Sequence, residues 1–220
     1  MLEPETHRTL LSLSVPMIVD AMVSLELPES FMDHGIRPLL PYTRTVGTAV
    51  TVKVEQVEDT ASADLSELVY AYTIQPGAFC SIMVIEMPAG LLDYGIFGDG
   101  AASMARQGGF VGAVIEGAIR DTLELRDLGF PVHSRAIAPG CCTSRLRAVA
   151  GVPVRVGGRT VCPGDVILAD NDGVVVIRPP DLDRVLDKAL AVKDWELRGQ
   201  IMLASGATHD EMEQALGPAP

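Results

Sequence analysis

Apolar positions recur along this chain at two periods, and each change of period marks an element. Over residues 10–27 the spacing is helical and predicts a helix or a helix pair. Ser14 stands where an N-cap would be, Pro16 falls in the first turn, and Ile18, Val19 and Met22 form a core-facing stripe. Residues 28–44 hold Pro28, Gly35, Pro38 and Pro41 and read as irregular. Over 45–57 the period falls to two. Val46, Val50, Val52 and Val54 face one way and Thr51, Lys53 and Glu55 the other, which predicts a strand with one wet face. A short helix over 64–72 and a turn at Pro76-Gly77 lead to an apolar strand over 79–87 that takes in Cys80. A glycine-spaced turn over 95–100 opens a helix over 101–107, which Gly108-Gly109 ends. A strand over 111–119 follows, then a helix over 121–128 with Leu123, Leu125 and Leu128 as its apolar set, then a short strand over 132–137.

The last third changes character. Residues 152–156 and 159–161 flank Gly157-Gly158, a two-residue hairpin signal. Pro163-Gly164-Asp165 turns into a strand over 166–169, and Asn171-Asp172-Gly173 turns into another over 174–177. Pro179-Pro180 halts the sheet before one long helix over 181–204, and Thr208 with Glu211 makes a capping box for a short terminal helix. Alternating strands and helices in the middle predict parallel strands, and close-set strands afterwards predict hairpins. The fold class is α/β, a single domain over 1–220 with a mixed sheet. A helix of about 24 residues spans roughly 36 Å and can reach a neighbouring subunit.

Composition narrows the function classes. The net charge of −12 and the absence of a basic run argue against nucleic acid as a partner. No apolar run approaches the roughly 20 residues of a membrane helix, and no secretory signal is visible, so a cytoplasmic protein without a membrane partner is expected. Cys80, Cys141, Cys142 and Cys162 form no CxxC pair and read as reduced thiols. His7, His34, His133 and His209 are scattered and read as surface or loop residues. Asp165 and Asp172 read as turn residues, and Trp195 as packing or interface.

Chemistry concentrates in GDGAASMARQGGFVGAVIEGAIRD, residues 98–121. Gly98-Asp99-Gly100 is a tight turn in which Asp99 could simply cap the helix. Alternatively, the N–H groups of Gly100, Ala101 and Ala102 could cradle a substrate carboxylate, because small residues let a ligand approach the backbone. Arg120-Asp121 closes a buried strand. Asp121 could be an N-cap with Arg120 as its surface partner, or Asp121 could ligate a divalent cation while Arg120 binds a substrate oxygen. A single carboxylate plus waters suits Mg²⁺ or Mn²⁺.

Asp99, twenty residues, then Arg120-Asp121 is a D-x20-R-D motif. With VGTAVTV from Val46, GAVIEGAIRD from Gly112, GFPV from Gly129 and PGDVILADNDGVVVI from Pro163, the chain resembles the RraA-like family over most of its length. That family includes 4-hydroxy-4-methyl-2-oxoglutarate aldolases. The resemblance implies a β/β/α swivelling-type domain, a homotrimer or dimer of trimers, and a class II pyruvate aldolase with oxaloacetate decarboxylase activity acting on a small 2-oxo acid. It implies Asp121 as metal ligand, Asp99 in proton transfer, Arg120 on the keto or enolate oxygen, and the backbone from Gly98 to Ala102 on the substrate carboxylate. It also implies a glutamate from a neighbouring subunit, best matched by Glu196, reaching the metal through water. Two departures stand out: GDGAAS has small residues where larger ones often follow the Asp, and Glu116 replaces a common Asp. Some relatives instead resemble non-catalytic regulators that bind ribonuclease E.

Overall fold

Helices α1 (Pro4–Leu11) and α2 (Val15–Ser24) open the chain. Ser14 caps α2 by accepting from the Met17 N–H at 3.3 Å, and Pro16 sits in the first turn, where its missing donor costs nothing. The computed structural model describes residues 2–73, 80–141 and 143–218; the turn expected at Pro76-Gly77 and the thiol of Cys142 lie outside them. The middle of the chain then runs β1 (Arg37–Pro38), β2 (Thr45–Gln56), α3 (Ser66–Thr73), β3 (Ser81–Glu86), β4 (Gly95–Phe97), α4 (Asp99–Gln107), β5 (Phe110–Ile119), α5 (Thr122–Leu128) and β6 (Val132–Ile137). The last third holds β7 (Leu146–Ala150), β8 (Val154–Val156), β9 (Arg159–Val161), β10 (Val166–Ala169), β11 (Val174–Ile177), α6 (Leu182–Ala204) and α7 (His209–Leu216). Pattern reading missed β1 and β4, two and three residues long and without flanking hairpin signals, and it also missed β7.

Among the described residues nine strands form one mixed sheet in the order β1-β6-β5-β3-β2-β10-β11, with β4 on β5 and β7 on β2. The strands β2, β3, β5 and β6 run parallel, as the strand–helix alternation predicts, and β10 and β11 add antiparallel. The ribbon β8–β9 stands apart, and its turn glycines Gly157 and Gly158 have φ of 55° and 73°, the left-handed pair that a two-residue hairpin needs.

Alternation along the strands builds two faces. Met83 and Ile85 point to the side covered by α3, α4 and α5, where Leu68, Ala102 and Leu125 complete a cluster. Ile82 and Val84 point to the other side and meet Val154, Val156 and Val161 of the ribbon. A third cluster packs α1, α2 and α6 on β10 and β11 through Leu10, Ile18, Val175 and Ala189.

Four expectations are corrected here. The second face of β2 is wet only at Lys53 and Glu55, because the chain leading into β8 covers Thr51, whose hydroxyl donates to Val152 O at 2.6 Å. Cys80 precedes β3 in a left-handed turn, φ 65°, rather than lying in the strand. Its carbonyl fills the place a Cβ on Gly47 would take, so that position admits only glycine. Leu123 is exposed, and α5 anchors through Leu125 instead. His133 is buried, with Nε2 bonded to Asp170 O at 2.8 Å, and burial holds the ring below the ordinary histidine value. Asp165 is a turn residue as expected, but it is also buried and accepts from Arg178 at 2.6 Å. At the end of the chain the capping box is present, and the Trp195 indole donates to Gly217 O at 3.1 Å, which ties the segment after α7 back onto α6.

Candidate active site

Two backbone bonds fix β4 in place, one to the end of β5 and one to the segment after β6, and the site follows from them. Arg120 N donates to Phe97 O at 3.0 Å, and on its other side β4 is held by Gly95 N donating to Gly140 O at 2.8 Å. This brings Gly98, just after β4, against Asp121, just after β5. The contact is so close that a Cβ on Gly98 would collide with Asp121 Oδ2 and press on Arg120 Cγ. Gly98 has φ −136°, open to any residue, so the need for glycine is one of space.

Asp121 occupies the N-cap position of α5 but is left-handed, φ 54°, and its side chain makes no capping bond. The simple capping reading therefore fails. The carboxylate turns back, and Arg120 Nε donates to Oδ2 at 3.2 Å and to Oδ1 at 3.4 Å. Holding an aspartate in this region costs on the order of 1 kcal/mol or more, and such strain persists where the surroundings impose it. Here the laced strand ends do so. The Asp121 carboxylate raises Arg120 above the ordinary guanidinium value, and the Cys141 thiol adds a little.

The start of α4 differs from expectation. Asp99 is the first helical residue and not the cap, which is Gly98. The Ala102 N–H donates to Gly98 O at 3.0 Å and the residue is buried, so it offers nothing to a ligand. The Gly100 N–H donates to Asp99 Oδ1 at 2.7 Å. Among the described residues the Ala101 N–H has no acceptor, and the space where a Gly100 side chain would lie is empty. The expected cradle of three donors thus reduces to Ala101, with Gly100 joining if Asp99 turns away. Asp99 itself is exposed at the lip.

These groups form a shelf rather than a pocket: 39% of the Arg120 side chain and 30% of the Asp121 side chain remain exposed. Among the described residues no three His, Cys, Asp or Glu side chains gather as a metal cluster. The oxygen donors on the shelf are the carboxylates of Asp121 and Asp99, with the Cys141 thiol beside Arg120 as a single soft group. That set fits Mg²⁺ or Mn²⁺ keeping several waters, and does not fit a closed zinc site. Glu196 is not brought to the shelf within the chain. It is half-buried on α6, which packs on α2 and α7 over the β10–β11 end of the sheet.

Glu116 has a partner set that sequence reading missed. It accepts from Arg135 Nε and Nη2, the latter at 2.9 Å, and from Gly157 N at 2.6 Å, while Arg135 also donates to Asp33 at 3.0 and 3.1 Å. The two carboxylates raise Arg135, and Arg135 in turn lowers Asp33. Glu86, beside Glu116 in register, accepts from Arg155 N at 2.7 Å. These bonds fasten the β8–β9 ribbon over the ends of β3 and β5. The available signal was an acid inside an otherwise apolar strand, which requires a cation or backbone donors.

A family model described as "RraA-like: Aldolase/RraA" matches residues 15–176. Protein DlpA of Legionella pneumophila is 30% identical over 182 residues, which is 82% of this chain but 28% of DlpA, so the chain spans less than a third of that relative. A Halalkalibacterium halodurans protein named "Putative 4-hydroxy-4-methyl-2-oxoglutarate aldolase" is 36% identical over 155 residues, 70% of this chain and 69% of that protein. Among solved structures, Streptomyces coelicolor RraAS2, titled an unusual member of the RNase ES inhibitor RraA protein family, aligns with a TM-score of 0.78 at 25% identity, covering 91% of this chain and 98% of that one.

Proposed function

The chain belongs to the RraA-like family, and from that premise we propose that it is a divalent-metal-dependent carbon–carbon lyase. Its substrate would be a 4-hydroxy-2-oxo diacid such as 4-hydroxy-4-methyl-2-oxoglutarate, with oxaloacetate decarboxylation as a companion activity. The observation that carries this reading is the packing of Gly98 against the carboxylate of Asp121, which caps no helix and instead accepts from Arg120 Nε.

The residues divide the work. The Ala101 N–H, at the positive end of α4, receives the substrate carboxylate. Arg120 donates to the 2-oxo oxygen and stabilises the negative charge that grows there. Asp99, exposed at the start of α4, accepts the proton of the 4-hydroxyl. The C3–C4 bond then breaks, C4 leaves as the carbonyl of one product, and the electron pair passes through C3 to the 2-oxo group. Protonation at C3 yields pyruvate. A Mg²⁺ or Mn²⁺ held by Asp121, with Asp99 beside it and Glu196 supplied by a second copy, would add Lewis-acid stabilisation of the same oxygen. The lysines of this chain are Lys53, Lys188 and Lys193, on β2 and α6, so no lysine of the same chain stands at the shelf for a Schiff base. Loss of CO₂ from oxaloacetate passes through the same charge distribution.

The open shelf and the placement of Glu196 support assembly as a homotrimer or dimer of trimers in which a neighbour closes the site. The proposal covers residues 1–220 as one domain in the cytoplasm. Among the described residues no helix is long and apolar enough to cross a membrane.

The test is pyruvate release through a coupled NADH assay, with 4-hydroxy-4-methyl-2-oxoglutarate and oxaloacetate offered separately in Mg²⁺ and in EDTA. EDTA-sensitive turnover is expected. Absence of both turnover and metal binding would sink the proposal. It would favour the second reading, a regulator docking on a ribonuclease E-type partner, which the likeness to RraAS2 supports. A pull-down with that enzyme would examine it directly.

A further inference from the structure

A second concavity, of about 320 Å³, lies between α5 and the β1–β6 edge, with Ile119 and Ala136 among its walls and Arg37, Arg126 and Arg135 around it. Arg135 spends its fork on Glu116 and Asp33. Arg37 and Arg126 have no carboxylate partner among the described residues, although the chain carries 29 acids against 17 bases. Arg126 gains some stabilisation from the last turn of α5, but Arg37, on a two-residue edge strand, has no such compensation. In so acidic a protein, two unmatched guanidinium groups on one concave wall make a local positive field. The sheet edge contributes backbone donors and acceptors but no net charge: β6 runs on through Arg135, Ala136 and Ile137 after its last pairing with β1 at Ser134.

We propose that this cavity binds a small dianion, a phosphate monoester or a dicarboxylate, at a site separate from the Asp99–Arg120–Asp121 shelf. Its volume is at the lower end for small-molecule pockets and suits a ligand of that size. Two guanidinium forks recognise planar carboxylate or phosphate oxygens, and the Ile119 and Ala136 walls accept a short carbon stem. The inference does not depend on the lyase reading.

The experiment is titration calorimetry of the full chain with inorganic phosphate and, separately, with succinate. The proteins compared are the parent, Arg120→Gln, and the double variant Arg37→Gln/Arg126→Gln. At least one anion is expected to bind saturably at a site that survives in R120Q and is weakened roughly tenfold or more in the double variant. Phosphate alone, succinate alone or both would assign the ligand class. Because the two arginines are exposed and unpaired, the variant should fold, and a thermal melt confirms it; the single variants R37Q and R126Q repeat the comparison if it does not. No binding of either anion, binding unaffected by R37Q and R126Q, or binding lost in R120Q would overturn the assignment.

Discussion

Replacing Gly98 by alanine separates the geometry of the site from the stability of the fold. The backbone at Gly98 is extended and accepts alanine without strain. The new methyl, however, lies inside contact distance of Asp121 Oδ2 and 3.2 Å from Arg120 Cγ. The carboxylate is the movable partner, and relief requires it to retreat by on the order of 1 Å, a displacement that costs about a hundredfold in rate when it falls on a reacting group. That corresponds to about 2.7 kcal/mol of transition-state stabilisation. Stability should change by no more than about 1 kcal/mol, because only a partly exposed ion pair is disturbed. Gly100→Ala is the control: its methyl enters open space and its position is helical, so the fold should gain slightly, and any loss should fall on KM through the carboxylate seat. The assay is pyruvate release with saturating Mg²⁺, run beside thermal melts of both variants. If G98A turned over at the parental rate, the Gly98–Asp121 packing would have no part in catalysis and the site would have to be placed elsewhere.

Arg120→Ala and Asp121→Asn should each lower kcat by roughly 10²–10³ while leaving the melting temperature within a few degrees, since the pair is partly exposed; coupled-assay rates and melts measured together would check this. Asp170→Ala should destabilise the fold by about 2–3 kcal/mol. Asp170 is buried and accepts from Val15 N and Asp172 N, both at 3.0 Å, and urea unfolding with an unchanged midpoint would refute this. His133 supplies a pH signature. Its folded value lies below the ordinary 6.5, so the unfolded chain binds the proton first. Stability should be level above about pH 7 and fall as pH drops below 6.5, by at most about 1.4 kcal/mol per pH unit until the folded ring also protonates. His133→Gln should remove that part of the slope in unfolding curves taken at pH 7.5 and 5.5; an identical slope in both proteins would contradict it.

Local chemistry alone determined most elements. The cap at Ser14, the hairpin at Gly157-Gly158, the turns at Pro163-Gly164-Asp165 and Asn171-Asp172-Gly173, the alternation that makes strands parallel, and the capping box at Thr208 each depend on residues a few positions apart. The family was legible through a resemblance whose most specific piece, Asp99 and Arg120-Asp121, flanks one helix and one strand, and the proposed reaction class rests on that resemblance. Only the tertiary structure decided what those residues do. Ala102 is spent in the helix ladder, Asp121 is turned away from capping, and Gly98 is needed for space, all because β4 and β5 are laced at their ends. His133 and Asp170 meet across 37 residues, and Arg135 reaches Asp33 across 102. Glu196 stays away from the shelf because α6 packs over the other end of the sheet. Period and turn chemistry act within a few residues, whereas burial, ion pairing and the walls of a site are fixed by register and packing between segments that the sequence sets far apart.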